Sequence, residues 1–171
     1  MNIVFAAAKD QAIVLPLGLL LWLNVIGYAL HVLEEALVPE TFVDKVKRLY
    51  FPAYDWRKFF AFNAALLTLN VVAVLLYDSL SVWWIVLPLG LMVERVLNGI
   101  WHLGETIATG RYSAGLLMSI VAWIAFYLLV RYGLLRNQVA IEMFLTACGI
   151  GLAVDLAMMV PLYLGAFRKM R

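Results

Sequence analysis

The sequence predicts an all-α, polytopic membrane helix bundle of about five transmembrane helices plus one interfacial amphipathic helix, on three observations. First, 65% of the residues are hydrophobic and only 14% charged, with a mean hydropathy of +0.94; a soluble domain holds roughly 25% charged and about 45–50% apolar residues. Second, a chain of 19.3 kDa has too high a surface-to-volume ratio to bury that much apolar surface within itself. Third, the charges fall in short intervals between long apolar runs. Lipid is the solvent that fits all three. The net charge of +2, clustered beside apolar runs, argues against nucleic-acid binding. No nucleotide cofactor is expected either. One cysteine, Cys148, excludes an intramolecular disulfide and any multi-cysteine metal site. Residues 1–171 read as a single membrane-embedded helical domain, without an internal repeat or a low-complexity segment.

A helix needs about 20 mainly apolar residues to cross the hydrocarbon core. Five runs qualify: Ile13–Leu33, Phe59–Tyr77, Val82–Leu103, Leu116–Leu135 and Val139–Phe167. They are too long and too uniformly apolar for barrel strands. The first is expected to be a retained span, because Lys9 is a weak signal-peptide n-region and Gly27-Tyr28-Ala29 a poor cleavage site. Lys45, Lys47, Arg48, Arg57, Lys58, Arg111, Arg168, Lys169 and Arg171 fall on one side of this five-span topology. Lys9, Arg131 and Arg136 fall on the other, and Arg95 lies inside a span. Positively charged residues favour the cytoplasm, so the N-terminus is expected outside and the C-terminus inside. Between spans one and two, Pro39–Lys58 mixes aromatics with cations, which suits a short interfacial amphipathic helix interrupted near Pro52.

Ionisable groups within a span usually face the bundle interior, paired or functional. Span one ends in His31-Val-Leu-Glu34-Glu35, which places the imidazole and both carboxylates on one helix face. Span three carries Glu94, Asn98, His102 and Glu105 in one stripe. Both spans run in the same direction, so the two histidines of the chain arrive at a similar depth near the cytoplasmic end. Asp155 and Asn63 are further candidates for that region. Imidazole and carboxylate are ligands for Zn²⁺, Fe²⁺ and Mn²⁺, and the expected metal set is His31, Glu34, Glu35 and His102, with Asn98 orienting a ligand or bound water. Glu34 and Glu35 are candidate catalytic carboxylates; Glu94, Glu105 and Asp155 are additional candidates. The cofactor would be a divalent ion, Zn or Fe, singly or as the two-metal pair that helical bundles hold with inward carboxylates. Bland readings compete: polar residues at a span end often simply reach water, and Arg95 could pair with Asp155 across helices, since a buried cation needs a partner. Asn24 and Asn70 suit interhelical hydrogen bonds, and Met158 and Met159 suit packing.

His31-Val-Leu-Glu34-Glu35, Asn98-Gly-Ile-Trp-His102 and Tyr112-Ser-Ala-Gly115 resemble, in order, the HxxEE, NxxxH and Tyr-x-Pro-Gly signatures of the HXXEE family of small bacterial membrane proteins. The third departs at Ala114, where the family has Pro. The likeness covers roughly Leu20–Leu117 and implies a multi-pass protein of the bacterial inner (cytoplasmic) membrane. The family's function is unassigned, so the resemblance supplies residues and no reaction. Tyr112 could contact substrate or bond a carboxylate, and Gly115 permits close approach at a helix N-terminus, where the dipole favours an anion; both are candidate substrate-binding residues. Three functions remain open. The first is a metal-dependent enzyme acting on a membrane lipid, an isoprenoid or another hydrophobic substrate. The second is a metal-free acid–base isomerase using the Glu/His set as a relay. The third is a non-enzymatic small transporter or accessory membrane subunit, although five spans show no inverted repeat. Gly149-Ile-Gly151 hints only weakly at close packing, and oligomeric state is unreadable.

Overall fold

The computed structural model describes residues 16–77, 79–134 and 139–169, with side chains in the last helix up to Val160 and at Leu164. Lys9, Arg136 and Arg171, which enter the charge bias, lie outside the described residues, as do the side chains of Arg168 and Lys169. Among the described residues six α-helices follow one another: α1 (Leu17–Leu37), α2 (Phe42–Leu49), α3 (Trp56–Leu76), α4 (Val86–Thr109), α5 (Leu116–Leu129) and α6 (Ile141–Lys169). All but α2 belong to segments long and apolar enough to cross a membrane. A 3₁₀ turn at Val82–Ile85 leads into α4 and a π turn at Val130–Leu134 extends α5. Compared with the expected spans, α1 continues to Leu37 and α4 to Thr109. Both carry their acidic residues further along the helix than hydropathy alone allows.

Local chemistry sets the ends. Val38 is extended (φ −72°, ψ 156°) because it precedes Pro39, and α1 stops there. The side chain of Thr41 caps α2 by accepting from the Asp44 backbone N–H at 3.2 Å. The α2 helix buries Val43 and Val46 and ends before Pro52, as its amphipathic pattern predicts. Asp55 then caps α3, accepting from the Lys58 N–H at 2.9 Å. Its carboxyl is held below the usual range by these Lys58 bonds, side-chain bond first. Gly110 closes α4 in the left-handed region (φ 65°).

The centre of the bundle is α4, with 67% of its span buried against 39% for α1, the next most covered. It packs along α6 and α5, while α1 packs on α5 and α3. Among the described residues, α3 and α6 make no substantial contact with each other. Small residues set the closest approaches. A Cβ on Gly151 would lie 2.6 Å from the Gly90 carbonyl oxygen, so α6 meets α4 nearly backbone to backbone. Gly99 does the same for α5, where an added Cβ would meet Ser119 Cβ at 2.7 Å. Of the Gly149/Gly151 pair, only Gly151 is a contact; Gly149 faces open space. Polar pairs tie α1 to α3: Asn24 Nδ2 donates to Asn70 Oδ1 at 3.3 Å, as expected, and the Tyr28 hydroxyl to Asn63 Oδ1 at 2.6 Å. Such bonds average ~0.6 kcal/mol in membranes.

The turn between α1 and α3, the C-terminal end of α4, the start of α5 and the later half of α6 share one end of the bundle. Lys45, Lys47, Arg48, Arg57, Lys58 and Arg111 are all there, and Arg131 is at the opposite end. The α4–α6 contact yields a stability test. Gly151→Ala should cost about 1–3 kcal/mol, the usual range for overpacking against backbone that cannot move aside, while Gly149→Ala should leave stability unchanged or slightly raised. Thermal unfolding in detergent compares them, and equal midpoints would contradict the close approach.

Candidate functional site

The last turns of α1 and the middle of α4 bring three donors together. His31, Glu35 and His102 are all buried, at 4%, 5% and 0% exposure. Glu35 Oε1 lies 3.5 Å from His31 Nε2 and 3.6 Å from His102 Nε2. The imidazoles meet edge to face with centroids 5.1 Å apart. One ligand atom from each residue fits within a span of 4.8 Å, and this is the group of such donors found among the described residues. Both Glu35 separations are longer than good hydrogen bonds. They are close to the edge of a tetrahedron of metal ligands, about 3.3 Å for metal–nitrogen bonds of about 2.0–2.1 Å. His102 Nε2 is buried with no hydrogen-bond partner.

The first turn of α5 closes over these rings. Gly115 has φ 102°, and a Cβ there would lie 2.5 Å from His31 Cε1 and 2.9 Å from His102 Nε2. Glycine is required twice over, by backbone conformation and by the two imidazoles beneath it. The close fit gives Gly115 a steric role in seating the first turn of α5 on the rings.

Glu34 does not join the donor set. Its carboxylate turns outward along α1 and caps α5, with Oε2 accepting from the Met118 N–H at 2.8 Å and Oε1 from the Leu117 N–H at 3.2 Å. The Tyr112 hydroxyl donates to the same Oε1. Burial first, and this bond second, hold the Tyr112 phenol above its usual range. The anion-favouring helix N-terminus is thus filled by the protein's own carboxylate. The adjacent glutamates of HxxEE consequently do different work, Glu35 facing the histidines and Glu34 clamping α1 to α5.

The α4 stripe also divides. Glu105 Oε2 accepts from Lys45 Nζ at 2.7 Å and from the Ser113 hydroxyl at 2.5 Å. Ser113 Oγ lies 2.8 Å from His102 Nδ1, and Lys45 Nζ donates to it at 3.3 Å. Glu94 is taken by the guanidinium of its neighbour Arg95 through two hydrogen bonds. This corrects the expected Arg95–Asp155 pair: consecutive residues of one helix meet because Arg95 lies over the Tyr28 ring, 4.4 Å from its centroid. Asp155 is left with Oδ1 buried and unpartnered. With Glu94 and Glu105 committed to cations, the donors gathered at the histidines suit one ion rather than two.

Beside the donors is a cavity of about 470 Å³, in the space left between α3 and α6. Its polar lining residues are His31, Glu35, Arg95, Asn98, Asn63 and Tyr54. The others are Phe42 of α2, Phe62, Leu66, Val154 and Ala157, with Met158 and Met159, which therefore border a void rather than only filling space. Asn98 Oδ1 is buried here without a partner, available to a ligand. Burial first, then the nearby Glu35 and Asp55 carboxylates, push the Tyr54 phenol up to about 12, so it stays protonated and can donate at neutral pH. Ser113, Lys45, Tyr54 and Arg95 were not expected here. Ser113 sat inside a recognised motif, whereas Lys45 reaches Glu105 across 60 residues and left no local signal.

A family model described as a protein of unknown function with HXXEE motif matches residues 22–130. No curated protein and no solved structure matches the chain. The matched region runs from α1 through α5 and holds all three donors, while α6, which completes the cavity, lies beyond it. Gly115→Ala should cost at least about 1–3 kcal/mol, from a left-handed backbone and a forced displacement of both imidazoles. Gly104→Ala, with open space around its Cβ, is the matched control, and similar thermal midpoints for the two variants would refute the packing described.

Proposed function

Since the chain belongs to the HXXEE family, whose function is unknown, its activity has to be read from its own site, and we propose a metal-dependent enzyme acting on a lipid or isoprenoid. The carrying observation is the set His31, Glu35 and His102, three buried donors spaced as metal ligands are, with a bare ring nitrogen on His102. Two imidazoles and one carboxylate leave coordination positions open for water or substrate. Zn²⁺ in such a set supports hydrolysis and Fe²⁺ supports oxygen chemistry. Buried unpaired polar atoms are costly without a partner, and an ion supplies one for Nε2.

The shape of the cavity supports the substrate class. A hydrocarbon tail fits among Phe62, Leu66, Met158 and Met159, while a polar head reaches Asn98, Tyr54 and the donor set. Pockets that bind small ligands combine apolar walls with a few placed polar groups in this way. Asn98 is the ligand-orienting residue in this reading. Glu34 and Tyr112 support the site from outside, holding the start of α5 above the rings.

We place the site face in the cytoplasm, with the N-terminus outside, because six described cations lie on that face and Arg131 on the other. A fluorescent protein fused to the C-terminus should mature and glow, and an alkaline phosphatase fusion there should be inactive. The reverse pattern would invert the topology. Protein purified in detergent without added metal should contain stoichiometric Zn or Fe by elemental analysis. His31→Ala and His102→Ala should each lose it. Trace metal that is unchanged in both variants would reject the metal site.

A further inference from the structure

We propose that Ser113, Glu105 and Lys45 form a positioning chain that holds His102 in its Nδ1–H tautomer, leaving the Nε2 lone pair aimed at Glu35 and His31. The purpose assigned to that lone pair rests on the metal reading above; the tautomer itself does not. Proton counting makes the assignment. A lysine ammonium only donates, a carboxylate only accepts, and a serine hydroxyl has one proton and two lone pairs. Lys45 Nζ donates to Glu105 Oε2 at 2.7 Å and to Ser113 Oγ at 3.3 Å. The one Ser113 proton can go to Glu105 Oε2, 2.5 Å away, or to His102 Nδ1, 2.8 Å away.

Only the first choice leaves no two acceptors facing each other. Given to the imidazole, the proton would be missing from a 2.5 Å contact between hydroxyl and carboxylate oxygens. Short O–H···O⁻ contacts of this length are charge-assisted bonds and need the proton between them. With that proton on Glu105, Ser113 accepts from both Lys45 and His102, and every group in the chain is satisfied. His102 must then carry its hydrogen on Nδ1. The other side of the ring agrees. Among the described residues nothing accepts a hydrogen bond from Nε2, and Glu35 Oε1 at 3.6 Å is too distant to do so.

This gives α2 a part in the site. The amphipathic helix carries Lys45 inward, 8% exposed, with its ammonium 5.4 Å from the centroid of the Phe42 ring. Lys45 and Glu105 also line a second cavity of about 320 Å³ on the α2 face. The far end of the chain thus borders that cavity, and its near end fixes a ring buried in the bundle. Metal-binding histidines are commonly held through the second ring nitrogen in this manner, and loss of the holding group costs about 10–100-fold in affinity.

The chain has only two histidines, so ring-nitrogen NMR of ¹⁵N-histidine-labelled, metal-free protein at mildly alkaline pH is readily assigned with a His31→Gln variant. Wild-type His102 should show the Nδ1–H form, Ser113→Ala should shift it towards Nε2–H, and Ser113→Thr should restore Nδ1–H. Zn²⁺ affinity should fall about 10–100-fold in Ser113→Ala and recover in Ser113→Thr. An Nε2–H ring in wild-type protein would overturn the proposal whether or not any variant folds, as would an unchanged tautomer in Ser113→Ala. Because the tautomer is read without metal, an Nδ1–H ring in protein that binds neither Zn²⁺ nor Fe²⁺ would uphold the chain and reject the metal enzyme.

Discussion

Lipid gives packed helices no hydrophobic reward for touching, since hydrocarbon tails cover apolar side chains as well as a neighbour does. Association in this bundle therefore depends on close backbone approach and on interhelical hydrogen bonds. Gly151 and Gly90 bring α6 to α4, Gly99 brings α5 to α4, and Asn24–Asn70 and Tyr28–Asn63 fasten α3 to α1. The same constraint builds the site. Gly115 lets the start of α5 lie directly on two imidazoles, and Glu34 fastens it there through two backbone N–H groups and the Tyr112 hydroxyl. Holding the bundle together and holding the donors in place are largely one task.

A buried polar residue in such a setting has to be partnered, and the α4 stripe meets that need fully at only two of its four members. Glu94 is neutralised by Arg95, and Glu105 by Lys45. His102 is bonded on one ring nitrogen and bare on the other, and Asn98 leaves its carboxamide oxygen unpartnered. The satisfied groups are structural or positioning. The two bare atoms face the donor set and the cavity, and they are where the proposed ion and substrate act.

Much of this was legible in the sequence because it rests on local regularities. Span number follows from hydropathy, α2 from its charge and aromatic pattern, and the convergence of His31 and His102 from helix periodicity and span direction. Periodicity failed where side-chain direction mattered. Glu34 and Glu35 share a face within the resolution of a helical wheel, yet one residue's rotation separates an inward donor from an outward cap. The need of a buried cation for a partner allows an Arg95–Asp155 pair, and nothing local in the sequence reveals that Arg95 lies over Tyr28 and meets Glu94 instead. Lys45 was legible only as an interfacial cation. Its inward reach depends on how α2 lies against α4, which no pattern within eight residues encodes.

The separation of α3 from α6 has a kinetic consequence. The proposed lipid would enter a cavity between two lipid-facing helices sideways, by diffusion within a plane. Occupancy of the cavity then follows the mole fraction of a molecule in the bilayer rather than its amount per volume of water. For the proposed lipid substrate, diluting the membrane with inert lipid would lower turnover even when the total amount of substrate is unchanged. Bilayer composition becomes a control variable for such a protein, and the width of one helix gap sets which tails can respond to it.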